Sequence, residues 1–291
     1  VHNVRRDDFS FNSEDGLEIA YYRWRAQGKA AAIVQIAHGM GEHALRYAHV
    51  AEFLNQAGFH VYANDHRGHG RTAKGRESLG DFGNGGWNGL VADMVTLTRM
   101  ARTREGRLPA ILLGHSMGSF AAQQYVLEHS ALIAGLVLSG SAAVDKLAID
   151  PSQDADLTAF NRGFEPARTQ HDWLSRDHAA VDAYEADPLC GFGINKTAMQ
   201  SMAAGASRLV DPAALAQIRK DLPIYIFAGH KDPINHGLEW LKPLAERYRA
   251  AGIANVSEKY YPEGRHEMLN ETNRDEVMRD LASWLQKTIA V

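Results

Sequence analysis

The stretch ILLGHSMGSF, residues 111–120, decides the fold. It holds Gly114-His115-Ser116-Met117-Gly118, a G-x-S-x-G match, and a pattern this short carries weight only in the right local context. On its N-terminal side LPAILL is a continuous apolar run, as expected of a strand buried on both faces. On its C-terminal side SFAAQQYVLEH reads as a helix. A serine at the tip of such a strand-to-helix turn must take a strained backbone. Glycines two positions before and after it let the neighbouring strands and the helix approach closely. The new helix also aims its first amides at anything bound there. The context makes Ser116 a candidate nucleophile rather than a chance serine between glycines.

Working outward, apolar runs alternate with helical stretches, the pattern of a parallel sheet with crossover helices. FSFNSEDGLEIAYYRWRA reads as two antiparallel strands around Asp15-Gly16, a hairpin signal. Further strands are expected at 31–39, 59–68, 108–116, 133–142, 222–232 and 256–264. Helices are expected at 88–104, 119–129 and 273–289, with Leu90, Val91, Met94, Leu97 and Ala101 on one face of the first. In 236–251, Pro243 calls for a helix that starts late or kinks. Residues 143–222 contain no convincing buried strand and are too long for a loop. They are expected to form a mainly helical cap, inserted after the sixth strand. Residues 1–142 and 223–291 would then be the α/β core.

A serine hydroxyl needs a base, and the base needs an orienting acid. Of 14 histidines, His171, His178, His230, His236 and His266 follow the second half of the sheet. His266, in YPEGRHEMLNE after the last strand, lies where a loop can reach the serine. Asp232, directly after IYIFAG, is the candidate acid. Its rival Asp145 opens the insertion, and the plain alternative for Asp232 is a turn residue before Pro233. The two backbone donors of an oxyanion hole are expected from the N–H of Met117 and of Met40, the latter in IAHGMGEH.

The bulk numbers remove other classes. The chain has 291 residues, a net charge of -4, 45% hydrophobic and 23% charged residues, and 1 cysteine, Cys190. No run of like charges suggests nucleic acid. No apolar run approaches the roughly 18 residues of a membrane span. The N-terminus lacks the apolar stretch of a secretory signal, although Val1 leaves a removed leader open. A lone cysteine allows no internal disulfide. The sequons at Asn195, Asn255 and Asn270 then read as coincidence, and the cytoplasm is the expected location.

Taken together, HGMGEH…RY, DHRGHGRT, GHSMGS, GHKDPIN and YPEGRHEMLNE resemble the monoacylglycerol lipase and lysophospholipase-like branch of the α/β-hydrolases, also grouped as serine aminopeptidases. HDWLSRD…VDAYEADPLCGF resembles bacterial lysophospholipase-like members. The resemblance implies an eight-stranded sheet with a cap, and a Ser116–His266–Asp232 triad without metal or cofactor. It also implies hydrolysis of acyl esters. It places Glu42 and Arg46 beside the polar head of the substrate; the alternative is that they pair with each other. Lysophospholipase, aminopeptidase (with Glu42 or Glu165 gripping an α-amine) and a silent receptor remain the competing readings. A lipid ester would favour loose contact of the cap with a membrane surface.

Some residues have plainer expectations. Asp65, His66 and His69 read as parts of a glycine-rich turn rather than a metal site. His115 reads as a packed polar residue and Cys190 as a buried structural one. Phe160, Phe164, Trp173, Tyr184 and Phe192 read chiefly as the cap's own small core.

Overall fold

The computed structural model describes residues 6–147 and 149–290. Eight strands form one sheet: β1 (Arg6–Asn12), β2 (Glu18–Trp24), β3 (Ala32–Ala37), β4 (Phe59–Asn64), β5 (Ala110–His115), β6 (Gly135–Ser139), β7 (Ile224–Gly229) and β8 (Val256–Tyr261). Their order is β1-β2-β4-β3-β5-β6-β7-β8. The hairpin β1–β2 runs in register from Arg6 opposite Trp24 to Asn12 opposite Glu18, and β2 is also antiparallel to β4. All other neighbours are parallel.

The helices are α1 (Ala48–Gln56), α2 (Gly86–Arg104), α3 (Met117–His129), α4 (His178–Ala186), α5 (Lys196–Ala206), α6 (Pro212–Leu215), α7 (Lys242–Ala250) and α8 (Arg274–Ile289). They cover both faces of the sheet, which is why the central strands are apolar throughout. In β5 and β7 the two-residue period sorts the side chains. Ile111, Leu113, Tyr225 and Phe227 pack with Val50 and Leu54 of α1 and Leu281 and Leu285 of α8. Leu112, Ile224 and Ile226 pack on the other face with Leu90 and Met94 of α2 and Val126 of α3. Each such side chain contributes roughly 1.5–3 kcal/mol of burial.

Pro243 falls in the first turn of α7, where its missing N–H costs no helical bond, so this helix starts late instead of kinking. Helix α1 is an addition to the sequence reading. It buries Val50, Ala51, Leu54 and Asn55 and has no side-chain N-cap.

Between β6 and β7 the described residues form α4, α5, α6 and several 3-10 turns, and no strand. Each of the three helices has a side-chain cap: Asp177 accepts from Ala179 and Ala180, Asn195 from Ala198, and Asp211 from Ala213. The segment lies over the C-terminal strand ends. It is tied there by Gly191 N–H to Gly41 O at 3.0 Å, Asn195 N–H to Gly80 O at 2.9 Å and Glu267 N–H to Leu174 O at 2.8 Å. Among the described residues no helix is long and apolar enough to cross a membrane.

Candidate active site

Ser116 sits between β5 and α3 with φ 52° and ψ -123°, a left-handed conformation that costs a residue with a side chain on the order of 1–3 kcal/mol. The flanking glycines are explained by contact. A Cβ on Gly118 would lie 2.2 Å from Ala37 O, and one on Gly114 would lie 2.5 Å from Gly118 O. No larger residue lets α3 start this close to β3 and β5. The turn is further held by Ser116 N–H to Ser139 O at 2.9 Å and by the Ser119 hydroxyl donating to Ser116 O at 2.6 Å.

Asp232 and His266 arrive from the ends of β7 and β8. Asp232 uses both oxygens. Oδ1 accepts the Ile234 N–H at 2.8 Å, the turn role, and Oδ2 meets His266 Nδ1 at 2.9 Å. Both residues are almost wholly buried. Burial by itself would lower the His266 pKa, but the Asp232 charge and hydrogen bond outweigh it and the net shift is upward. The ring packs 4.8 Å from the Trp173 indole and 4.8 Å from the His115 ring. Ser116 and His266 line the same cavity, but no hydrogen bond joins them. Such contacts are often open before substrate binds.

Asp145 is elsewhere: its carboxylate pairs with Arg247 at 2.8 Å. His171 pairs with Glu185, His230 and His178 are exposed, and His236 pairs with Glu239 at 3.1 Å.

The loop after β3 packs directly on Ser116. A Cβ on Gly39 would come within 3.0 Å of Ser116 Cβ. Met40 and Met117 both line the cavity, and among the described residues neither backbone N–H has an acceptor. For Met117 this follows from its place as the first residue of α3, whose opening amides have no intrahelical partner.

Glu42 and Arg46 are brought together with each other. Arg46 donates to Glu42 Oε2 at 2.7 Å and, through two nitrogens, to Glu267 at 2.6 and 2.8 Å. Glu42 Oε1 also accepts from Tyr47 at 2.8 Å and from Gly39 N–H at 2.6 Å. Burial would raise both carboxyl pKa values, yet the Arg46 charge holds both below the usual range. Glu42 and Glu267 line the cavity, whereas Arg46 stands behind them against the Tyr184 ring. Glu267 was missed by the sequence reading, because its partner lies 221 residues away and nothing local signals it.

The cavity holds about 850 Å³. Its wall includes Phe120, Leu157, Phe160, Trp173, Met199 and Met202. Phe160, Trp173 and Tyr184 therefore line the cavity and are not confined to a separate small core, while Phe164 stacks under Arg265 and Phe192 against His69.

Two groups of described residues bring possible metal ligands within 4.8 Å: His43, Asp187 and Cys190, and Glu42, His115 and Glu267. Arg46 already supplies the cation between the two glutamates. Burial pushes the Cys190 thiol upward, away from the thiolate that binds metal. His66 and His69 turn nitrogens toward Asn64 and toward backbone groups, and Asp65 accepts from Tyr22, Ala44 and Arg71.

Residues 28–273 match the family described as serine aminopeptidase, S33. A monoacylglycerol lipase of Mycolicibacterium smegmatis is 32% identical, with 96% of this chain and 97% of the relative covered. The monoglyceride lipase of Homo sapiens is 27% identical, with 89% and 86% covered. A solved structure, a highly thermostable carboxyl esterase from Bacillus coagulans in complex with glycerol, has a TM-score of 0.86 at 30% identity, covering 99% and 100% of the two chains. With this match running through the Ser116 turn and strands β3 to β8, the chain belongs to the serine aminopeptidase S33 family and is an α/β-hydrolase.

Proposed function

We propose that this protein hydrolyses carboxylic esters, monoacylglycerol-like or other small acyl esters first among them, through Ser116, His266 and Asp232. The observation that carries the reading is the strained Ser116 turn, opening on one cavity with a histidine whose Nδ1 is bound by a buried carboxylate. His266 Nε2 takes the hydroxyl proton as Ser116 Oγ attacks the ester carbonyl. The oxyanion is held by the N–H groups of Met40 and Met117, each worth about 3 kcal/mol. His266 then protonates the departing alcohol. A water, deprotonated by the same ring, attacks the acyl-enzyme and releases the carboxylic acid and free Ser116. Asp232 fixes the tautomer and stabilises the imidazolium.

The apolar wall around Phe120, Leu157, Phe160 and Met202 suits an acyl chain, and the names of the relatives favour monoacylglycerols. Residues 143–222 act as the cap in this reading. An aminopeptidase needs a free carboxylate to grip an α-amine. Glu42 is already committed to Arg46, Tyr47 and Gly39, and Glu165 is exposed, which supports esters over peptides. Docking of the cap on lipid has little to rest on, since among the described residues Val210 is the one large apolar side chain counted as exposed.

The test is hydrolysis of p-nitrophenyl esters from acetate to palmitate by wild type and Ser116→Ala. The expected result is turnover with a chain-length optimum, lowered at least ~1,000-fold in the variant. Full activity in Ser116→Ala, or no turnover of any ester by wild type, overturns the reading.

A further inference from the structure

The loop Gly39–Gly41 has a backbone arrangement that its own residues cannot enforce, since two of the three are glycine and Gly41 has φ 65°. The constraint comes from two imidazoles. His38 Nδ1 lies 2.7 Å from Gly39 O, and His38 Nε2 lies 2.9 Å from the His66 backbone N–H. His69 Nε2 lies 3.2 Å from the Gly41 N–H, and His69 Nδ1 lies 2.8 Å from Arg67 O. The partners fix the tautomers. A backbone N–H can only donate and a carbonyl can only accept, so both rings are neutral with the proton on Nδ1. Both residues are fully buried, and burial drives their pKa values down, that of His69 to about 3.

The geometry of a trans peptide gives this its meaning. In the peptide unit joining residues 39 and 40, the Gly39 C=O and the Met40 N–H point in opposite directions. Holding that carbonyl toward His38 therefore turns the Met40 N–H the other way, and Met40 lines the cavity. The next peptide unit, joining 40 and 41, is held through its N–H by His69. Both peptide planes flanking the Met40 Cα are thus pinned, each by a ring anchored in the turn after β4. Gly39 N–H is taken by Glu42, which leaves Met40 as the one amide of the three without an acceptor among the described residues.

We propose that His38 and His69 are positioning residues that aim the Met40 N–H at the developing oxyanion. This rests on the reading of Ser116 and Met40 given above, and it assigns a role to His38 and to His69, of which the sequence offered the second only as part of a turn. An aimed donor is felt in the transition state and not in ground-state binding, so its loss lowers kcat and leaves KM in place.

The test exploits which nitrogen does the work at each ring. An asparagine amide reaches the place of Nδ1, and a glutamine amide reaches that of Nε2. At position 38 the Nδ1 donor matters, so His38→Asn is expected to retain most activity and His38→Gln to lose it. At position 69 the Nε2 acceptor matters, so His69→Gln is expected to retain activity and His69→Asn to lose it. The defective member of each pair should fall ~10- to 100-fold in kcat, below the loss for deleting a donor outright, with KM within about 3-fold. Affinity for a trifluoromethyl ketone carrying the same acyl chain should fall by the same factor. The comparison is between two amides at one site, so it stands even where an apolar substitution there fails to fold. Equal activities of Asn and Gln at both positions, or losses confined to KM, overturn the proposal. Ser116→Ala is measured alongside. If it keeps activity, the reading of the site itself fails; if it is inactive while the Asn/Gln crossover is missing, only the role of the two rings fails.

Discussion

Turns at the same end of the sheet hold fully buried imidazoles and treat them in two opposite ways. After β8, His266 faces the Asp232 carboxylate, and its pKa rises despite burial. After β3 and β4, His38 and His69 face backbone groups, His66 faces the Asn64 amide, and burial drives all three down. His115, 4.8 Å from His266, belongs with the second set, with burial first and the neighbouring ring second pushing it to about 4. Depth is the same throughout; a carboxylate hydrogen-bonded to the ring makes the difference, since the Glu42 and Glu267 carboxylates near His115 are bound to Arg46. A ring that must exchange a proton needs a charged partner to make its cation affordable. A ring that must hold backbone in place needs neutrality, because only the neutral form accepts at one nitrogen while donating at the other.

The hardest way to break this comparison is to remove the carboxylate. Asp232→Asn keeps the shape but leaves the His266 tautomer unfixed and the imidazolium without its counter-charge. Activity on a p-nitrophenyl ester is expected to fall ~1,000- to 10,000-fold in kcat. The pH dependence carries the sign. In the proposed mechanism the working form of His266 is neutral, so a raised pKa places the acid limb of kcat/KM above the ordinary histidine value in wild type. Without Asp232, burial dominates and the limb of the residual activity moves to lower pH. An unmoved limb would mean that another group sets it.

The second set makes a prediction about stability. A histidine with a depressed folded-state pKa is neutral in the folded chain while the unfolded chain takes up a proton near pH 6.5. Stability contributed by the neutral burial of His38, His66, His69 and His115 is therefore complete above about pH 6.5 and falls as the pH drops toward 4. The slope is about 1.4 kcal/mol per pH unit for each fully separated histidine. His266 has the opposite sign, since its raised pKa favours the folded state below pH 6.5 and this contribution is lost as pH rises through the folded value. Together with Asp65 and Asp93, whose carboxyl pKa values burial raises, it only blunts the trend, because burial also lowers those of His49, His60 and His129 and these side with the four rings. Urea midpoints should drop steadily from pH 7 to pH 5; a flat profile would show that these rings are not held neutral.

How much of this could be read from the sequence divides along the range of the interactions. Strands buried on both faces announce themselves as apolar runs, and the Ser116 turn by its glycines. Asp232 and His266 could be singled out because each follows a strand end, and the structure joins them by a hydrogen bond. Helix α1 escaped because it buries few residues and lacks a side-chain cap. Glu267 escaped because its role depends on Arg46, across the fold. Glu42 and Arg46 were legible as a pair or as substrate contacts, and the geometry joins them to each other. The task of His38 and His69 depends on two strand-end turns meeting, and no spacing rule along the chain encodes that meeting.

The smallest expected effect sharpens the comparison most. His66 lies between the two working rings, 4.2 Å from His38, and is as buried as they are. Its side chain does less. Nδ1 has a 3.4 Å contact with Asn64 Nδ2, and Nε2 is buried with no partner. What His66 contributes to the loop is its backbone N–H, which any non-proline residue supplies. His66→Leu removes an unsatisfied buried nitrogen at similar volume, so it should change stability by less than about 1.5 kcal/mol. Activity should stay within about 3-fold of wild type, because His38 keeps its anchor. Thermal unfolding and ester kinetics on this one variant suffice. A loss as large as that of His69→Asn would mean that the cluster of rings acts as a packed unit, and that the hydrogen bonds of individual nitrogens do not decide the geometry of the loop.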